Sequence, residues 1–340
     1  MRTVWIASGD RFVTDAPGSL MRRLTEWFPW VRVTQDLGKA DILFHSFFGE
    51  AWRRYPNAIA VELVGENVAP DFNQADYAIS GVRLEYGDRH LRRPFFCFQP
   101  EFRGLFAEDG ALLPVDAHAE ASSKTRFCTV VVSNANRDGA VTRLFDLLSA
   151  HKPVASGGKW RNSFGGRRVG DKLAFLRTGK FTLACENSAF PDYVTEKIVH
   201  AFAAHTIPIY WGAPNVAEDF NPEAFIDCSR FPSLEAVAEE VRRLDSDPAA
   251  YEAMLGAPVF REGRCPEAFR EERLRAFFEP IVSRPPEESR RRCRQARAEI
   301  LWERARVSAP LVSQRLPALG HALRLICSKR YRSACRKVGD

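Results

Sequence analysis

Apolar residues along this chain gather in short blocks, and between them run longer segments whose apolar positions recur at helical spacing. Thr3 to Ala7 predicts a strand and Gly18 to Trp27 a helix. Val31 to Thr34, Ala40 to His45, Ile59 to Val64 and Tyr77 to Ser80 predict further strands. From Glu101 to Thr125 the pattern becomes irregular, with Gly104, Gly110, Pro114 and then AHAEASSK, so the linker is placed there. A second series opens with Phe127 to Ser133, a nearly continuous apolar strand of the kind that parallel sheets bury. Asp138 to Ala150 follows as a helix with Leu144, Leu147 and Leu148 inward, then a Gly-rich segment, SGGKWRNSFGGRRVG, and helices at Leu234 to Leu244 and Pro248 to Leu255. Two such series predict an α/β chain with two facing, Rossmann-like, doubly wound domains and a cleft between them. The expected divisions are 1–120, 124–265, a helix over 266–283 that returns to the first domain, and a tail over 284–340.

The richest stretch lies between Lys180 and Ile226. It predicts a buried strand from Phe181 to Cys185, a polar turn, a helix from Thr195 to His205, and a strand from Ile207 to Trp211. That unit holds a helix start at the carboxyl edge of a parallel sheet, where α/β folds keep ligands. The turn carries Glu186, Asn187, Asp192 and Tyr193, and the helix opens with Thr195, Glu196 and Lys197. A lysine in a first turn opposes the helix dipole unless an anion sits there, which marks Lys197 as a candidate anion ligand. Glu66 stands just past the strand Ile59 to Val64, beside Gly65, where a carboxylate at a strand's end could face the cleft as a base.

ENSAFPDYVTEKI followed by HTIPIYWGAPNVAEDFNPEAFI resembles the donor-binding core of the α-1,3-fucosyltransferases, glycosyltransferase family 10, and their bacterial branch in particular. GENVAPDFNQADYAISG, DRHLRRP and VVSNAN extend the resemblance over roughly Ile59 to Phe231. It implies the GT-B fold, with the amino-terminal domain meeting the acceptor and the carboxy-terminal domain meeting GDP-fucose. It also implies an inverting transfer of L-fucose without a required metal, a divalent cation being at most stimulatory. Glu66 would be the general base, and Glu196 would hold the ribose hydroxyls. Asn187 and Tyr193 would line the donor pocket, Glu186 would belong to the same set, and Lys197 would meet the diphosphate. The family places an arginine after its S-N-P-N segment, but here SNAN runs into RDGAVTRLF and Val141 falls near the usual place. Arg137 and Arg143 are both candidates for the phosphate arginine. The implied acceptor is the 3-hydroxyl of N-acetylglucosamine in an N-acetyllactosamine-type glycan. A different sugar-nucleotide donor, or an inactive glycan- or membrane-binding relative, are the alternatives.

Composition narrows the classes. Of 340 residues, 45% are hydrophobic and 27% charged, as in a globular protein. No apolar run is long enough to span a bilayer, and MRTVWIASGD lacks a secretory apolar region, so the expected compartment is the cytosol. The eight cysteines include no C-x-x-C pair, which argues against a disulfide framework or a zinc site. Asp245-Ser246-Asp247 spells D-x-D, but before Pro248 these residues serve as turn and cap groups, and no metal site is expected. Charge is divided: residues 284–340 hold fifteen Lys/Arg against five Asp/Glu, a net of +10, and leave the rest at −4. Ala318, Leu319, Ala322, Leu323 and Ile326 approximate an apolar face flanked by Arg315, Arg324, Lys329 and Arg330. Such a tail fits peripheral contact with an anionic inner-membrane surface or an inert extension, and nucleic acid is not the expected partner.

Overall fold

The computed structural model describes residues 2–9, 19–49, 51–135 and 139–292. The first sheet contains β1 (Val4–Ser8), β2 (Val31–Val33), β3 (Ile42–Ser46), β4 (Ile59–Val64), β5 (Tyr77–Ser80) and β6 (His90–Arg92), in the order β2-β1-β3-β4-β5-β6. Every pairing in it is parallel. The second contains β7 (Arg126–Val130), β8 (Val154–Ser156), β9 (Gly179–Cys185), β10 (Ile207–Trp211) and β11 (Ile226–Asp227), ordered β11-β10-β9-β7-β8 and also wholly parallel. Helices cover both faces, which is why β3 and most of β4 and β9 are buried on alternate sides and read as continuous apolar runs. Strand order reverses between β1 and β3 in one sheet and between β7 and β9 in the other. Ligand crevices open outside the carboxyl ends at such points. This is the two-domain, GT-B-like α/β arrangement.

Several boundaries differ from the sequence expectation. β7 ends at Val130, three residues short of Ser133, because the chain leaves the ladder to meet the Gly-rich segment. Trp160 N donates to Val132 O at 3.2 Å, and a Cβ at Gly158 would lie only 2.0 Å from that carbonyl. The helix predicted over 138–150 spans Ala140–Ser149, and the one predicted over 195–205 spans Glu196–Ala203 with Thr195 as its N-cap. The irregular stretch from Glu101 to Thr125 holds two short helices, Pro100–Arg103 and Ala117–Ser123. Asp116 caps the latter by accepting from Ala119 N at 3.0 Å. Its Ala/Ser composition gave no apolar stripe to read, although Ala117 and Ala121 pack against the second sheet's core.

Residues 95–105 pack onto the second unit as well. Phe96 and Phe102 join Val194, Ile198, Phe202 and Phe220 in one cluster, with Phe96 and Phe220 ring centroids 5.2 Å apart. In the opposite direction, the Glu271–Ser283 helix buries Leu274, Phe278, Ile281 and Val282 in the first sheet's core. Arg93, 1% exposed, fastens it by donating to Phe269 O at 2.9 Å and Glu271 Oε1 at 2.7 Å. Arg291 N and Arg292 N then donate to Asp76 Oδ1, both at 2.6 Å. The amphipathic part of the tail lies outside the described residues. Among the described residues no helix is long and apolar enough to cross a membrane.

Glu62 lies within β4, one turn of the pleat before the cleft, and is 3% exposed. Its Oε2 accepts from Asp71 N at 2.9 Å, yet burial outweighs that bond and pushes the carboxyl from 4.5 up to about 7. A raised folded value means that this group's contribution to stability is full below the unfolded pKa and is lost as pH rises through the folded one. Glu62→Gln should therefore match the parent near about pH 4 and exceed it near about pH 8, by on the order of 3 kcal/mol. Denaturant melts of both proteins at the two pH values check this.

Candidate active site

The site begins where β9 ends. Glu186 N donates to Trp211 O at 2.8 Å, extending the β9–β10 pairing by one residue and turning the Glu186 side chain inward, where it is fully buried. Its Oε1 accepts from Thr195 N at 2.7 Å, and its Oε2 accepts from Thr195 Oγ1 at 2.6 Å and from Lys197 Nζ at 2.8 Å. The carboxylate thus caps the Glu196–Ala203 helix in place of a side chain from the N-cap residue itself. Burial alone would lower the Lys197 pKa, but Glu186 and Glu196 outweigh it and raise it, so the ammonium stays charged. Gly212 leaves the space that Glu186 needs: a Cβ there would lie 2.5 Å from Glu186 Cγ and 2.7 Å from the Tyr210 hydroxyl. Gly212→Ala should destabilise the fold by about 1–3 kcal/mol through overpacking, measurable by thermal or denaturant unfolding.

The turn between β9 and that helix is bound to the first unit. Asp192 sits at φ 66°, a left-handed conformation that its own contacts hold in place. Its carboxylate accepts from Arg83 N at 2.8 Å and Asn215 Nδ2 at 2.8 Å, and it also pairs with the Arg83 guanidinium. Arg83 reaches Asp219 at 2.9 Å and Glu218 at 3.0 Å, while Arg92 meets Asp219 at 2.6 Å. Asn67 Nδ2 donates to Ser188 Oγ at 2.7 Å. Next to this bridge, Tyr193 OH donates to Glu66 Oε2 at 3.0 Å. Burial and then the Glu66 charge raise the Tyr193 pKa, which keeps the phenol protonated and donating.

Between the two carboxyl edges lies a cavity of about 860 Å³. Glu66, Asn187, Tyr193, Glu196 and Lys197 all line it. Burial would raise the Glu196 pKa, but Lys197 and Lys172 outweigh burial and hold the carboxyl below its ordinary range. Glu186 is a support behind the wall rather than part of the surface. Arg143 is not brought to the cavity: it is 58% exposed and donates through Nε to Glu235 Oε1 at 2.9 Å, because its face of the Ala140–Ser149 helix turns toward the Leu234–Ser246 helix. Arg137 lies outside the described residues. Asp245 pairs with Lys180 at 2.6 Å and Lys152 at 2.5 Å, and Asp247 caps the Pro248–Leu255 helix through Ala250 N at 3.0 Å, so both acids of the D-x-D triplet serve the fold.

Sequence reasoning did not single out Lys172 or the pair Ser133 and Asn134, which line the same cavity. Lys172 opens the Lys172–Arg177 helix, and Asp171 caps that helix by accepting from Ala174 N at 2.9 Å. A lysine at a capped helix start is the same signal that marked Lys197. Lys172 Nζ lies 2.7 Å from His200 Nδ1. Chemically, the cavity sets an exposed carboxylate, Glu66, across from two ammonium groups and a row of hydrogen-bonding side chains. Such a site could take a proton from one reactant while receiving negative charge on another.

Residues 121–255 match the family model described as glycosyltransferase family 10 (fucosyltransferase) C-term, and residues 19–99 match the alpha-(1,3)-fucosyltransferase FucT N-terminal domain. The chain is 33% identical over 243 residues to the alpha-(1,3)-fucosyltransferase FucT of Helicobacter pylori, which covers 64% of this chain and 51% of that protein. It is 47% identical over 72 residues to an alpha-(1,4)-fucosyltransferase of Arabidopsis thaliana, covering 21% of this chain and 18% of that one. It thus spans about half the length of the Helicobacter relative and less of the plant one. A crystal structure of an alpha1,3-fucosyltransferase superposes with a TM-score of 0.72 at 28% identity, covering 86% of this chain and 93% of that chain. The crystal structure of alpha1,3-fucosyltransferase with GDP-fucose gives 0.69 at 28% identity, covering 83% and 91%.

Proposed function

We propose that this chain, which belongs to glycosyltransferase family 10, is a GDP-fucose-dependent fucosyltransferase that inverts the anomeric centre of its donor. The observation that carries the reading is the placing of Glu66 at the end of β4, hydrogen-bonded to Tyr193 at 3.0 Å and sharing one cavity with Lys197. GDP-fucose binds the second unit, with its diphosphate toward Lys197 and its ribose hydroxyls on Glu196. Asn187 and Tyr193 line the pocket, and Glu186 holds the helix start in register. Of the two candidate arginines, Arg137 takes the diphosphate, since Arg143 is engaged by Glu235. The acceptor hydroxyl, assigned as O3 of N-acetylglucosamine in an N-acetyllactosamine-type glycan, gives its proton to Glu66 and attacks the anomeric carbon. The bond to the diphosphate breaks as the new glycosidic bond forms, and GDP leaves on the cationic side. One displacement turns a β-linked donor sugar into an α-linked product.

A hydroxyl is a weak nucleophile until a base removes its proton, and this contributes typically 10²–10⁴-fold. Positive groups aimed at the departing diphosphate supply the other large contribution. The reading requires no metal, and a divalent cation would at most stimulate. Peripheral contact of the tail over 284–340 with an anionic bilayer, on the cytoplasmic side, rests on its net charge of +10. A product assay with N-acetyllactosamine tests the donor assignment by comparing GDP-fucose, GDP-mannose and UDP-galactose. Fucosylated product from GDP-fucose alone, still formed in the presence of a chelator, is the expected result. Turnover of UDP-galactose in its place would overturn it.

A further inference from the structure

On the reading that the cavity receives a nucleoside diphosphate, we propose that Lys172 is a further phosphate-binding cation of the site, beside Lys197, and is positioned by His200. Among the described residues lining the cavity, the cations are Lys172 and Lys197 and the carboxylates are Glu66 and Glu196. The charge of Lys197 is already matched within the fold by buried Glu186 at 2.8 Å. Among the described residues, that wall without Lys172 would set Glu66, Glu186 and Glu196 against Lys197 alone. The Lys172 ammonium is held differently. Its hydrogen-bond partner is an imidazole nitrogen, His200 Nδ1, at 2.7 Å, and among the described residues it forms no ion pair closer than 4.0 Å. It is therefore a cation with charge to offer a ligand, on a helix start fixed by the Asp171 cap.

His200 makes this hold possible. It is 7% exposed, and burial followed by the Lys172 charge pushes its pKa down, which leaves the ring neutral with Nδ1 as the acceptor. Its other nitrogen, Nε2, faces Glu101 Oε2 at 3.5 Å on the Pro100–Arg103 helix, so the ring is positioned from both sides. The groups facing Lys172 are Glu196, Lys197 and His200 from the Glu196–Ala203 helix, Glu101 from the Pro100–Arg103 helix, and Glu186 from the end of β9. Burial first, then Lys197, hold the Lys172 pKa below the ordinary lysine value against the pull of Glu196, Glu101 and Glu186. A bound diphosphate favours the ammonium, so its affinity should fall at alkaline pH as the free protein loses that proton.

Calorimetric titrations of the parent, Lys172→Met and Lys172→Arg with GDP and with guanosine test this. Lys172→Met should weaken GDP by about tenfold or more, leave guanosine unchanged, and leave the melting temperature close to the parent's. Lys172→Arg should restore most of the GDP affinity and flatten its decline at alkaline pH, because a guanidinium keeps its proton. Equal losses for GDP and guanosine, or no loss for GDP, would overturn the assignment of Lys172 while leaving the proposed function intact. A folded parent that binds no GDP would overturn both.

Discussion

Glu66→Gln should bind GDP-fucose as the parent does and lose about a thousandfold in kcat. The carboxylate lies at the end of β4, exposed to the cavity and hydrogen-bonded to Tyr193 OH at 3.0 Å. Glutamine keeps the size of the side chain and an oxygen that accepts from the phenol, so the turn carrying Tyr193 should stay in place. What it lacks is basicity. An acceptor hydroxyl would then have to attack while still protonated, and the loss should appear in kcat for every acceptor tried. Single-turnover kinetics with saturating GDP-fucose, together with a direct donor titration, separate the two quantities. Near-parental turnover would move the base assignment to another carboxylate. A matching loss of donor affinity would mean that Glu66 holds the donor instead.

Lys197→Met should fail twice. It removes the ammonium expected to face the diphosphate, and it leaves Glu186 buried with its Lys197 partner gone. Stripping one member from a buried pair costs about 3–5 kcal/mol, since an uncompensated charge stays in the interior. Donor affinity should fall by about ten- to a hundredfold. The two effects separate in the double variant Lys197→Met/Glu186→Gln. The amide can still accept from Thr195 N, which lies 2.7 Å from Glu186 Oε1 in the parent, and it carries no charge to strand. That variant should recover most of the stability and none of the GDP affinity. Recovery of both would make Lys197 a structural partner only.

The signature between β9 and β10 was legible because residue types that serve a packed core poorly are concentrated there. Asn187, Tyr193, Glu196 and Lys197 reach the cavity as the turn-and-helix reading expects. Glu186 was harder. Alternation along a strand does not say whether the first residue past it turns inward, and here one more pairing, Glu186 N to Trp211 O, decides the matter. Arg143 and Arg137 are both candidates in sequence, Arg137 the closer to the strand end, and only the packing of the Ala140–Ser149 helix shows that Arg143 faces Glu235. β8 and β11, of three and two residues, are too short to show any period. Lys172 was hidden by distance: its partner His200 lies 28 residues away on another helix. The cavity itself depends on two parallel sheets facing each other at their carboxyl edges, a relation that no local pattern encodes.

Titration of GDP-fucose into the folded protein, followed by calorimetry, tests the central claim without any assumption about the acceptor. The account predicts saturable binding at one site per chain, weakened in Lys197→Ala and absent for UDP-galactose. No binding of GDP-fucose, or equal binding of UDP-galactose, would contradict it.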